Sequence, residues 1–164
     1  MPELIVPTSR LHAAWLDARD EWGPGVHEDG FGLMPEDEVE SLTGFAAWVA
    51  RLADEAGSCM YRWIVEDDLV VGGIALRHEF DDFVSWAGHI GYGIRPSARR
   101  RGLANWALGQ ILDEARAIGL DQVLVVCEAD NVASARTIES RGGVHEYLEY
   151  AENDPVRRYW ISLA

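Results

Sequence analysis

The sequence predicts an α/β (α+β) fold with a mixed central sheet of about seven strands and four helices, in the order β-α-α-β-β-β-α-β-α-β-β. Three observations predict it. Two strand-like runs, residues 59–66 and 69–77, are separated only by Asp67-Asp68, which reads as an antiparallel hairpin. Residues 89–95 alternate, with Ile90, Tyr92 and Ile94 on one face and His89, Gly91, Gly93 and Arg95 on the other. Residues 105–118 then set Ala107, Leu108, Ile111, Leu112, Ala115 and Ile118 on one helix face, and the apolar run 122–128 follows. Strand, helix and strand make a crossover, and a right-handed crossover leaves its two strands parallel.

The other elements follow in order. Residues 3–6 are a short strand ended by Pro7. Thr8 or Ser9 can cap a helix in which Leu11, Ala14, Trp15, Ala18 and Trp22 share a face. Residues 23–32, with Gly-Pro-Gly and several acids, form a loop. Pro35 at a first helical position, followed by Glu36, Asp37 and Glu38, is expected to open the second helix. Its buried stripe would be Val39, Leu42, Phe45, Val49, Leu52 and Ala56, with Gly57 as its stop. Residues 79–85 read as a polar, aromatic connection. Residues 131–141 make a short helix ended by Gly142-Gly143, and 144–150 and 157–163 are the last two strands. No repeat or linker breaks the pattern, so residues 1–164 are expected to form a single domain.

Hydrophobic content of 48% against 26% charged residues is that of a globular chain. No apolar run reaches the length of a membrane span, and the start lacks a basic segment before an apolar stretch, so a cytoplasmic location is expected. Cys59 and Cys127 sit inside apolar strand runs and are expected to be buried thiols; the spacing of Cys and His suggests no metal site. The net charge is −14, which makes nucleic acid a poor partner and would steer a cationic ligand inward. Residues 17–40 concentrate this excess; solubility is its plain explanation. All 14 basic residues are arginine.

Between the alternating strand and its helix lies Pro-Ser-Ala-Arg-Arg-Arg-Gly-Leu-Ala, residues 96–104. Such a loop aims several backbone N–H groups at one spot, where the helix dipole adds positive potential and Arg99, Arg100 and Arg101 add charge. That combination suits a phosphate or pyrophosphate. A solvated arginine surface is the alternative, and neither a Walker A loop nor a dinucleotide fingerprint occurs.

Arg99-x-x-Gly102-x-Ala104 resembles the R/Q-x-x-G-x-G/A signature of the GNAT N-acetyltransferase superfamily. Asn131-x-x-Ser134, followed by Ile138-Glu139-Ser140-Arg141-Gly142, is similar to the pattern of that family's next helix. The resemblance implies the GNAT fold, with acetyl-CoA as acyl donor and its pyrophosphate on the loop. The cofactor-binding residues would be Ile94, Arg99, Arg100, Arg101, Gly102, Leu103, Ala104, Asn131 and Ser134. It also implies that the two parallel strands splay and take the pantetheine arm between them.

Acetyl transfer to an amine needs the ammonium deprotonated and the leaving thiolate stabilised. An ammonium of pKa ~10.4 is free base about once in 10³ at pH 7, a handicap of roughly 4–5 kcal/mol. His89 is the first candidate base, standing on the central strand before the loop; a histidine bonded within the sheet is its alternative. Glu79 could relay a proton, and Asp81 and Asp82 could hold a cationic substrate, unless the three mark an exposed hairpin tip. Many family members use a tyrosine in the helix after the Asn motif to meet the thiolate. The corresponding position here is Ile138, so Ser134 is the candidate donor to sulfur, with Tyr147 and Tyr150 as weaker acids. Asn131 could instead simply cap its helix. Trp22 and Trp86 flank acidic connections and could stack on a sugar or cover a cation, while Glu28 and Asp29 join the acceptor mouth.

The reading is an acetyl-CoA-dependent N-acetyltransferase acting on a primary amine of a small cationic molecule, with an aminoglycoside-type antibiotic as the sharpest candidate and a homodimer compatible with it. The alternatives are acetylation of a protein N-terminus or lysine, and a non-catalytic acyl-CoA-binding protein.

Overall fold

The computed structural model describes residues 1–24, 27, 29–146 and 155–164. Seven strands form one sheet: β1 (Glu3–Ile5), β2 (Cys59–Glu66), β3 (Leu69–Arg77), β4 (Ile90–Ile94), β5 (Gln122–Glu128), β6 (Val144–His145) and β7 (Val156–Ser162), in the spatial order β1-β2-β3-β4-β5-β7-β6. The hairpin of β2 and β3 turns on Asp67 and Asp68, both left-handed at φ 50° and 64°, the twist that a two-residue hairpin turn requires. Every neighbouring pair is antiparallel except β4 and β5, which are parallel as the crossover demands.

Alternation along the strands builds a core on each face. On one face α1 (His12–Trp22) and α2 (Leu42–Asp54) enclose Trp15, Phe31, Phe45, Trp48 and Trp63, whose rings meet at centroid separations of 4.8–6.1 Å. On the other face α4 (Leu103–Ala117) and α5 (Val132–Ser140) cover Ile74, Leu76, Ile90, Val123, Val125 and Tyr159 with Leu108, Ile111, Leu112 and Ile138. Cys59 and Cys127 are both buried. Among the described residues, no helix is long and apolar enough to cross a membrane.

Two local expectations are corrected. The second helix begins at Leu42, not Pro35, because the acids meant for its first turn bond elsewhere. Asp37 accepts the Met34 N–H at 2.7 Å and pairs with Arg51 at 2.6 Å, and Glu38 accepts the Ser41 N–H. Ser41 is the real cap, its Oγ accepting from Gly44 N at 3.0 Å. With that register Trp48 is buried and Leu42 stands 75% exposed. The polar connection after β3 contains a short helix, α3 (Asp82–Ala87), which Asp81 caps by accepting the Val84 N–H at 2.8 Å. His12, unremarked in the helix pattern, is buried, bonded through Nε2 to Val39 O at 2.7 Å and stacked on Phe45 at 4.3 Å. Of the strand expected over 144–150, Val144 and His145 pair with β7, and residues 147–150 lie outside the described residues.

Candidate active site

The loop after β4 is shaped by backbone conformation. Pro96–Ala98 make one 3₁₀ turn, Arg100 and Gly102 are left-handed at φ 64° and 77°, and α4 starts at Leu103. The first bond along α4 runs from Trp106 N–H to Gly102 O at 3.0 Å, so the N–H groups of Leu103, Ala104 and Asn105 precede the helical ladder. Gly102 has no side chain to cap them. They face outward at the positive end of the helix, the arrangement that holds an anion.

The three arginines have separate tasks. Arg99 Nε donates to Ile94 O at 2.9 Å, tying the loop to the end of β4. Arg101 pairs with Glu66 at the end of β2 at 2.8 Å, and that pairing pulls the Glu66 carboxyl below its ordinary range. Arg100 is exposed and makes no ion pair among the described residues, which leaves its charge for a ligand.

Below the loop sits a group that alternation alone did not single out. Arg95, buried, meets Glu21 of α1 at 2.6 Å and Asp17 at 2.9 Å, and also donates to Val70 O at 3.2 Å. Glu21 accepts the backbone N–H of Ser97 and, at 3.0 Å, its hydroxyl. The Ser97 bonds and then Arg95 hold the Glu21 carboxyl below the usual range. One carboxylate of α1 thus fixes the first turn of the loop. Five positively charged N–H donors on Arg95 and a strand end that must be anchored were the only hints in the sequence.

Strands β4 and β5 pair at a single register position, Ile90 with Val125, and separate toward their C-terminal ends. Asn131 caps α5 by accepting the Ser134 N–H at 3.1 Å, the plainer of its two expected roles. Ser134 faces β4, where its Oγ lies 2.6 Å from the hydroxyl of Tyr92. Ile138, the position at which the resemblance implied a tyrosine, is fully buried in the core. Tyr92 was missed because alternation grouped it with Ile90 and Ile94 as core; its hydroxyl was the available signal.

His89 is corrected as a candidate base. It is 3% exposed; its backbone N–H donates to Leu124 O at 2.7 Å and its ring Nδ1 accepts the Leu124 N–H at 2.9 Å. The ring proton therefore sits on Nε2, and no lone pair is open to a substrate. Burial, then Arg77, pushes its pKa down. Phe80 and Trp160 pack around it at 5.7 and 6.5 Å. The ring joins the two strands where the splay begins.

On the α1/α2 face, Asp29, Gly30 and Phe31 cross the sheet at Gly73 and Gly91. Asp29 accepts the Phe31 N–H at 2.9 Å, and burial raises its pKa. Beside it opens a cavity of about 750 Å³ lined by Arg19, Asp20, Trp22, His27, Asp29 and Met34 among others. Trp22 stands edge-on to Phe31 at 5.6 Å. Glu28, Tyr147 and Tyr150 lie outside the described residues. The expected acceptor acids divide: Trp22 and Asp29 share the cavity, whereas Asp81, Asp82 and Trp86 belong to α3 and its cap, with Trp86 74% exposed. Glu79 is exposed just ahead of them. Arg158 holds α3 to β7 by donating to Ser85 O at 2.5 Å.

A family profile described as "Acetyltransferase (GNAT) domain" matches residues 10–144. No curated protein matches by sequence. Among solved structures, the chain is similar to yncA from Salmonella typhimurium with its cofactor acetyl-CoA, at 15% identity and a TM-score of 0.65 over 99% of this chain and 94% of that one. It is similar to the microcin C7 self-immunity acetyltransferase MccE in complex with acetyl-CoA and AMP, at 15% identity and TM-score 0.68, covering 98% and 92%. It is likewise similar to RimL, a ribosomal L7/L12 α-N-protein acetyltransferase in complex with coenzyme A, at 17% identity and TM-score 0.71, covering 98% and 93%. With its profile match over residues 10–144, the chain belongs to the GNAT acetyltransferase family.

Proposed function

We propose that the protein transfers the acetyl group of acetyl-CoA to a primary amine of a small cationic molecule, by direct attack within a ternary complex. The observation that carries this reading is the run of outward N–H groups from Leu103 to Asn105, beside Arg100 and at the open end of the β4–β5 splay. That surface would take the pyrophosphate, with the pantetheine arm in the opening and the thioester near Gly91. The cavity holding Asp29, Asp20 and Trp22 would take the acceptor, and about 750 Å³ suits a drug-sized molecule.

Asp29 is the carboxylate best placed to receive the ammonium proton. Its neighbour Gly30 packs against Gly91 O on the strand that borders the splay, and its raised pKa brings it closer to the amine it would relieve. Glu79, exposed near the other end of β4, would pass protons only through water. Ser134 would donate a hydrogen bond to the departing sulfur.

RimL acts on a protein N-terminus, and its likeness keeps a peptide acceptor as the second reading. The two separate in one assay of CoA release with spermine, kanamycin and a peptide bearing a free α-amino group. The expected result is turnover with the polycations and little with the peptide. Their apparent KM should rise as salt shortens the Debye length from about 10 Å at 0.1 M to about 3 Å at 1 M. Faster turnover of the peptide would replace the small-molecule reading. CoA binding with no turnover on any amine would leave an acyl-CoA-binding protein.

A further inference from the structure

We propose that Tyr92 supplies the proton that the leaving thiolate takes up, acting through Ser134; this rests on the acetyl-transfer reading above. Tyr92 stands on β4 two positions beyond Ile90, the last residue that pairs with β5. Its hydroxyl crosses to the first turn of α5 and meets Ser134 Oγ at 2.6 Å, so the two hydroxyls bridge β4 and the helix that follows β5. Ser134 is held in place from behind, its N–H given to Asn131 Oδ1 at 3.1 Å. It also lies at the N-terminal end of a nine-residue helix, where negative charge is favoured.

Acid strength decides which hydroxyl is the source. A thiol has an ordinary pKa of ~8.5 and a phenol ~10, whereas an alcohol resembles water and is by far the weakest acid of the three. A serine giving up its proton alone would work against a far larger ratio than a tyrosine, whose ratio is roughly thirtyfold. Ser134 can bond the sulfur but needs a stronger acid behind it. Tyr92 is that acid, and Ile138 offers none from α5.

The step balances. The amine nitrogen forms the C–N bond to the acetyl carbon, and the C–S bond breaks with its electron pair on sulfur. Sulfur takes the proton of Ser134 Oγ as Ser134 takes that of Tyr92. The ammonium loses two protons on the acceptor side, and one proton from water restores the phenol. The net change is ammonium plus acetyl-CoA to amide, CoA thiol and one proton.

The test uses CoA itself and needs no acceptor. The bound thiol is titrated by its thiolate absorbance in the wild-type protein, Tyr92→Phe and Ser134→Ala. A donor aimed at sulfur lowers the thiol pKa, so the wild-type complex should titrate below ~8.5 by about tenfold in acid strength; Ser134→Ala should lose most of that shift, and Tyr92→Phe, which keeps the serine but removes the acid behind it, a measurable part of it. With spermine as acceptor, Tyr92→Phe should lower kcat by about 10²-fold at unchanged acetyl-CoA KM, and kcat should lose the alkaline fall that marks phenol ionisation. An unchanged bound-thiol pKa in Tyr92→Phe overturns the proposal, as does an unchanged value in Ser134→Ala. Wild-type protein that binds CoA but acetylates neither spermine nor kanamycin would refute the acceptor reading alone, since the titration still decides Tyr92. Failure to bind CoA would overturn both.

Discussion

Replacing Gly30 with alanine tests the link between the fold and the proposed acceptor site at one atom. Gly30 is left-handed at φ 74°, and a Cβ there would lie 2.7 Å from both C and O of Gly73 and 2.8 Å from Gly91 O. All three neighbours are backbone of the central sheet, which cannot yield as a side chain would. The left-handed conformation costs an L-residue about 1–2 kcal/mol, and overpacking of this kind adds about 1–3 kcal/mol. The sum is about 2–5 kcal/mol. At about 2–4 °C per kcal/mol for a chain of this size, the melting temperature should fall by roughly 4–20 °C. If the loop lifts instead, Asp29 and Phe31 leave the sheet together, and the penalty passes to the acceptor. Thermal melts and separate KM values for acetyl-CoA and spermine distinguish these routes; acetyl-CoA KM should hold in both. Gly57→Ala is the control, because nothing lies within 4 Å of its Cβ. A Gly30→Ala protein with the melting temperature and acceptor KM of the Gly57→Ala control would refute the packing argument.

Two further outcomes follow from the same geometry. Gly102→Glu should abolish CoA binding, measured calorimetrically, because a carboxylate would then stand where the N–H groups at the start of α4 are proposed to receive the phosphates, and a Cβ at φ 77° strains the cap as well. Acid melts should separate two carboxyls of opposite sign. Glu21, held low by Ser97 and Arg95, contributes stability that is complete above its unfolded value of ~4.3 and lost as pH falls through the lower folded value, so Glu21→Gln should be destabilising at pH 7 and nearly neutral in strong acid. Asp29, raised by burial, favours the folded state only below its unfolded value of ~3.9 and loses that contribution as pH rises through the folded one. Asp29→Asn should therefore raise the melting temperature at pH 7, with the gain vanishing in acid.

What the sequence by itself determined is what short-range chemistry controls. The Asp67-Asp68 turn, the apolar face of α4, the glycine before it and the Asn131 cap each depend on residues within a few positions of one another, so spacing alone located them. Even there, competing local bonds could win, as when Asp37 and Glu38 bonded to Met34 and Ser41 and delayed α2 to Leu42. Tertiary structure decided which side chains meet across the sheet. Tyr92 and Ser134 are 42 residues apart, Arg95 and Glu21 are 74, and Arg101 and Glu66 are 35. Whether His89 could act as a base turned on a single N–H of Leu124, which comes within reach only because β4 and β5 meet at that point and then part. The acids expected at an acceptor mouth read as one group and became two, because Asp29 is carried over Gly73 while Asp81 caps α3 and Asp82 opens it, beside β7. Periodicity reports which face a residue occupies; the partner on that face is set by strand order and by where two strands stop pairing, and neither is written in any local stretch.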